Sequence, residues 1–198
     1  MTAWCGLFSD GTIAGQTVLV TGGAGAVGHY AVQLAKGGGA QVIATVSSAE
    51  KAEQARLAGA DLVVNYRTED VVARTMAFTS QRGVDRVVDV DFGGNLATTL
   101  KLMATNSTIA VYATNGNRSP VIPMRELMEK CIALRALVLF ALPPALLASA
   151  QADISKWLAA GKRIHNIAAQ FPLSQTAQAH LAVEKGDKLG TVIVDCAR

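Results

Sequence analysis

Gly23-Ala24-Gly25-Ala26-Val27-Gly28 is a G-x-G-x-x-G run, the spacing at which a chain can wrap a pyrophosphate. The first glycine permits a tight turn, the second lets backbone approach the phosphates, and the third lets a helix pack closely on a strand. A helix amino terminus placed there adds unpaired N–H groups and the positive end of its dipole. Glycines also recur in turns for purely conformational reasons, so the motif takes its meaning from what flanks it. Residues 17–21 before it are short, apolar and β-branched, as a strand buried on both faces should be. After it, Val27, Tyr30, Ala31, Leu34 and Ala35 recur at helical spacing until Gly37-Gly38-Gly39 ends the element.

A site that prefers NAD places Asp or Glu about 20 residues on, at the end of the second strand. Here that strand, residues 41–45, is followed by Val46-Ser47-Ser48. The nearest carboxylate, Glu50, fits a capping box whose N-cap is Ser47. Ser47 can donate and Lys51, one turn into the helix, can supply charge to a 2′-phosphate, so NADPH is expected over NADH. On spacing alone Lys51 is equally a solvated helix lysine. Tyr66, ending the third strand beside that pocket, either flanks the adenine or phosphate or simply packs at the sheet end.

Other chemistries lack their residues. His29, His165 and His180 are scattered and none stands with Cys, Asp or Glu at metal-ligand spacing, so no metal site is expected. Gly-x-Ser-x-Gly does not occur, and no tyrosine has a lysine four residues later, which disfavours a serine hydrolase and a short-chain dehydrogenase. Asp85, Asp89 and Asp91 crowd the fourth strand and read first as strand-end carboxylates facing solvent, with one or two at its carboxyl end near the cofactor crevice as the alternative. Trp4 and Trp157 read as packing residues, and Cys131 as a buried thiol. No side chain is assigned a catalytic role.

The elements that must position these residues alternate strand and helix, the pattern of a doubly wound α/β domain of Rossmann type. Strands are expected at 17–21, 41–45, 62–66, 84–90, 107–112 and 132–140, with helices between them and one opened by Pro143-Pro144. The sheet order expected is 3-2-1-4-5-6, over residues 1–160. Residues 161–198, with a helix near 174–185 and a strand at 191–194, read as a carboxyl-terminal appendage. Among the 198 residues 51% are apolar and 17% charged, with a formal net charge of +3, so a packed core is expected and disorder is not. Without a run of like charges no nucleic-acid partner is expected, and the apolar stretch 136–150, broken by two prolines, is too short to span a membrane. Cysteines at three distant positions and no secretory leader point to a reducing, cytoplasmic setting.

Residues 15–28 together with Ala31-Val32-Gln33-Leu34-Ala35-Lys36, Ala58-Gly59-Ala60-Asp61, residues 63–67 and Val87-Val88-Asp89 occur in the order of a known family. So do Phe171-Pro172-Leu173, Ala177, Ala179-His180 and residues 190–194. This series resembles the medium-chain dehydrogenase/reductase superfamily, and within it the zinc-independent quinone oxidoreductases related to zeta-crystallin. By that resemblance Ala24, Gly25, Ala26 and Val27 meet the pyrophosphate, and Ser47, Lys51 and Tyr66 surround the 2′-phosphate. Asn95, the Thr114-Asn115 turn and Val138-Leu139-Phe140 correspond to its ribose and nicotinamide contacts. The family begins with a substrate domain, and Met1 falls where that domain should already have finished. The resemblance implies hydride transfer from NADPH to a quinone or enone; a domain that binds NADPH without turnover, as a sensor or a structural protein, is the alternative. Strand six, long and almost wholly apolar at the sheet edge, is expected to pair with a second copy in a homodimer.

Overall fold

Valines and leucines that alternate along the central strands bury themselves on both faces of one sheet. Its six parallel strands are β1 (Thr17–Val20), β2 (Gln41–Val46), β3 (Leu62–Asn65), β4 (Val84–Asp89), β5 (Met103–Val111) and β6 (Ala133–Ala136), in the order β3-β2-β1-β4-β5-β6. This is the expected doubly wound sheet, in a computed structural model that describes residues 1–186 and 188–197. Asp187 and Arg198, both in the expected carboxyl-terminal segment, lie outside the described residues.

Side-chain alternation divides the core into two layers. Val18, Val20, Val42, Ala44 and Val88 face α1 (Thr2–Phe8), α2 (Gly28–Gly37) and α7 (Pro144–Ala159), together with α3 (Ala49–Leu57). Leu19, Ile43, Val87 and Ile109 face the other way, toward α4 (Val71–Phe78), α5 (Phe92–Leu102) and α6 (Met124–Glu129). As expected, Pro144 opens α7 in its first turn. The cap of α3 falls one residue later than expected: Ser48, not Ser47, is extended and accepts from the Lys51 N–H at 3.3 Å. Ser47 is thereby left to face outward.

Three elements, α1, α6 and β7, were not expected from the sequence. Helix α1 crosses close to β4, where a Cβ on Gly6 would lie 3.2 Å from Val88 Cγ1. It is fastened by Arg86, 4% exposed, whose Nη2 donates to both oxygens of Asp10 at 2.8 and 2.9 Å and whose Nη1 donates to the Gly6 carbonyl. Two expectations fail near the sheet edge. Strand six ends at Ala136, and residues 139–141 coil into a short 3-10 turn, so Val138, Leu139 and Phe140 do not end a strand. Cys131 is exposed rather than buried, because it turns the chain between α6 and β6 with φ near +51°. Trp4 is buried against Phe8, as expected of a packing residue, and the Trp157 ring carries the Arg163 guanidinium 4.4 Å above it.

The carboxyl-terminal residues form their own layer. β7 (Ile167–Pro172) and β8 (Thr191–Asp195) pair in parallel as a separate sheet, joined by α8 (Thr176–Glu184).

Candidate functional site

The turn between β1 and α2 is built by glycines that have no room for a side chain. A Cβ on Gly28 would strike the Gly22 carbonyl oxygen, and one on Gly23 would lie 2.7 Å from the Ala44 methyl. Gly22 itself has φ +65°, the left-handed conformation that glycine tolerates best. The turn is held from below by Gly23 N–H to the Thr45 carbonyl at 2.9 Å and from within by Gly25 N–H to the Gly22 carbonyl at 2.9 Å. Among the described residues no hydrogen bond engages the N–H groups of Ala24, Ala26, Val27 or Gly28, and α2 has no side-chain cap. Four free donors at a helix amino terminus are an anion cradle, and they fit a pyrophosphate.

That cradle opens on a groove of about 330 Å³ lined by Ala24, Gly25, Ala26, Val27, Ser47, Lys51 and Tyr66, which brings together seven of the residues expected at a cofactor. Gly23 and Gly28 sit behind them as spacers. Lys51 Nζ lies 3.1 Å from Ser47 Oγ, so the helix lysine is turned along the groove beside the hydroxyl. Tyr66 is half exposed and is shared with an adjoining cleft of about 510 Å³, whose wall also carries Asn95, Glu69, Asp70 and Asp91. Among the described residues Thr114, Asn115, Val138, Leu139 and Phe140 line neither cleft. Thr114 Oγ1 accepts from the Gly93 N–H and donates to the Asn117 carbonyl, while Val138 and Phe140 are 63% and 95% exposed.

Sequence reasoning missed part of the wall. Tyr112, from the end of β5, lines the groove; burial, with the Asp89 carboxylate beside it, holds its phenol above the usual tyrosine range. Gly186, Lys188 and Gly190 also line it, coming from the loop before β8 and lying more than 130 residues along the chain from the glycine turn. No local pattern in Gly-Asp-Lys-Leu-Gly marks that return. The described lining thus holds two lysines, Lys51 and Lys188, and no carboxylate, and among the described residues neither lysine enters an ion pair.

Asp89 corrects another expectation. It is fully buried, and its Oδ1 accepts from Thr21 Oγ1 at 2.8 Å, Asn95 Nδ2 at 2.7 Å and the Asp91 N–H at 3.0 Å. Asp85 and Asp91 are also partly covered, accepting from the Thr17 and Gly116 amides. Asp89 therefore ties the ends of β1 and β4 to α5 across the point where the strand order reverses. Cofactors of doubly wound sheets bind at that switch point.

No group of three His, Cys, Asp or Glu gathers among the described residues to hold a metal ion, and no helix among them is long and apolar enough to cross a membrane. Comparison with known proteins gives this site its relatives. Prostaglandin reductase 1 of Bos taurus is 29% identical over 98% of the chain and 61% of its own length. The 2-haloacrylate reductase of a Burkholderia species is 32% identical over 91% of the chain and 55% of its own. A crystal structure of Escherichia coli quinone oxidoreductase complexed with NADPH superposes with a TM-score of 0.85 at 26% identity, covering 98% of the chain and 62% of the other. The chain thus spans about three fifths of the length of these relatives. Residues 26–152, from inside the glycine turn into α7, match the zinc-binding dehydrogenase family, and the chain belongs to that family, as the cofactor-binding half of a medium-chain dehydrogenase/reductase.

Proposed function

We propose that the chain binds NADPH and is the cofactor-binding part of an oxidoreductase that reduces a quinone or an enone. The observation that carries this reading is the groove: free amides at one end, Lys51 and Lys188 along it, and no carboxylate among its described lining residues. A carboxylate beside Ser47 would repel a 2′-phosphate, whereas Lys51 attracts one. Bound NADPH supplies the hydride. The chain's own residues do the binding: the amides of Ala24, Ala26, Val27 and Gly28 hold the pyrophosphate, Ser47 and Lys51 select the 2′-phosphate, and Tyr66 flanks the adenosine side. Asn95, fixed by Asp89, borders the adjoining cleft and orients a hydroxyl-bearing part of the dinucleotide. Thr114, Asn115 and Val138–Phe140, which line neither cleft, are assigned to the nicotinamide by the family resemblance alone.

The relatives support a reducing enzyme over a purely binding or structural role, since those named reductases match nearly the whole chain. A haloacrylate is an activated double bond, and an enone is the same class of hydride acceptor. Turnover without zinc is part of this proposal through the resemblance to the zinc-independent quinone oxidoreductases. Free cysteines at positions 5, 131 and 196 suit a cytoplasmic setting. The exposed edge of β6, with Leu134, Val138 and Phe140 exposed beside it, is where a second copy would pair in a homodimer.

Titration of the chain with NADPH and NADH tests the cofactor directly. NADPH should bind at least about tenfold tighter, about 1.4 kcal/mol. Equal affinity, or a preference for NADH, would refute the role given to the groove.

A further inference from the structure

His29 is the second residue of α2 and stands where two parts of the molecule meet. Its backbone N–H closes the glycine turn on the Gly25 carbonyl at 2.9 Å. Its side chain, 2% exposed, points the other way, with Nε2 2.7 Å from the Ile164 carbonyl and Nδ1 3.3 Å from Asn166 Nδ2. Gln33, one turn on, clasps the same backbone twice: Nε2 donates to the Ile164 carbonyl and Oε1 accepts from the Ile164 N–H. Asn166 in turn lies against the last loop of the chain. Its carbonyl accepts from the Thr191 N–H at 2.7 Å, and a Cβ on Gly190 would collide with that same oxygen. Two residues before Gly190 is Lys188, in the wall of the groove. One continuous path therefore runs from the glycine turn through His29 and Asn166 to the loop that carries Lys188.

We propose that His29 is a positioning residue for the phosphate groove: it docks the carboxyl-terminal unit on the glycine turn so that Lys188 joins Lys51 in the groove that takes the phosphates of the dinucleotide. This rests on the NADPH reading of the groove. His29 Nε2 lies 2.7 Å from the Ile164 carbonyl and 2.9 Å from Gln33 Nε2, which donates to that same carbonyl, so Nε2 carries the proton as a second donor to Ile164 and Nδ1 accepts from the Asn166 amide. A second proton on His29 would set two donors against each other at Nδ1, so the Asn166 amide has to turn over or leave. Burial already lowers the His29 pKa below its ordinary value, the Ile164 carbonyl opposes that, and His165 nearby lowers it further. Among the described residues the titratable groups that face His29 are Tyr30, on its own helix, and His165, on the docked segment, and these two are hydrogen-bonded to each other. The neutral form is thus the form that accepts from Asn166, and acid weakens the joint.

NADPH titrations of the whole chain test this. At about pH 8, Lys188→Ala and Asn166→Ala should each weaken NADPH by about fivefold, and the Asn166→Ala/Lys188→Ala pair should be no weaker than Lys188→Ala alone, because both remove one effect. His29→Gln keeps a donor for Ile164 but cannot be protonated. Because it gives up the Nδ1 acceptor for Asn166, it should weaken NADPH about as much as Asn166→Ala at about pH 8, and should lose less further affinity than the wild type on acidification to about pH 5.5. Additive effects of Asn166→Ala and Lys188→Ala, or the same acid profile in His29→Gln and wild type, would overturn the proposal while leaving NADPH binding intact. A wild-type chain that binds no NADPH would take both readings down together.

Discussion

The two halves of the sheet repeat the same strand-turn-helix step, and the two central turns treat backbone amides in opposite ways. After β1 residues 22–28 carry no polar side chain, and the amides of Ala24, Ala26, Val27 and Gly28 are left, among the described residues, without partners for an outside anion. After β4 the turn has Asp89 and Asp91, which consume the Asp91 and Gly116 amides and reach across to Thr21 and Asn95. Topology alone would allow a phosphate at either. On the proposed reading, side-chain carboxylates in one and their lack in the other decide which turn would bind a phosphate and which one braces.

The largest expected effect is at the open turn. Gly28→Val would drive a methyl-bearing carbon into the Gly22 carbonyl, and NADPH affinity should fall by a hundredfold or more, about 3 kcal/mol, in a titration of the folded protein. Wild-type affinity in that variant would mean the turn does not hold phosphate. At the braced turn the loss should appear in stability. Asp89→Ala strands the Thr21 hydroxyl and Asn95 amide, so denaturant unfolding should show about 2 kcal/mol less stability with an unchanged slope.

Smaller effects sharpen the contrast. Lys51→Ala should reduce the preference for NADPH over NADH by about tenfold, about 1.4 kcal/mol, with NADH affinity itself unchanged. An unchanged ratio would return Lys51 to the role of a solvated helix lysine. Asp91→Asn keeps an acceptor for Gly116, so affinity and stability should both stay within about 0.5 kcal/mol of wild type. A large loss of NADPH binding there would show that the braced turn also touches the dinucleotide.

Much of this was written in local sequence. Residues 17–20 and 23–28 announce their strand and turn because burial on two faces and close backbone approach each demand particular residue types. Asp89 was misread because its partners, Thr21 and Asn95, come from two other elements, and a carboxylate's burial depends on donors that no nearby residue reveals. The apolar run 132–140 suggested a long edge strand, but β6 has β5 for a partner only through Val111, after which the chain turns. Helix α1 is seven residues with a glycine inside, too short for periodicity to show, and it is held by Arg86 from β4. Lys188 was missed for the same reason as Asp89: its place in the groove is made by distant contacts.

The parallel pair β7 and β8 carries a consequence for how the molecule breathes. Parallel strands are usually buried on both faces, and a lone two-stranded sheet is marginal in water. Here the two strands are half-buried or exposed along their length and share no ladder with the main sheet. Their cohesion is therefore borrowed from α8 packed on them and from the His29 and Gln33 hydrogen bonds at their root. In native-state hydrogen exchange their amides should open as one cooperative unit, well before those of β1 and β4, and a ligand that grips Lys188 should slow that opening.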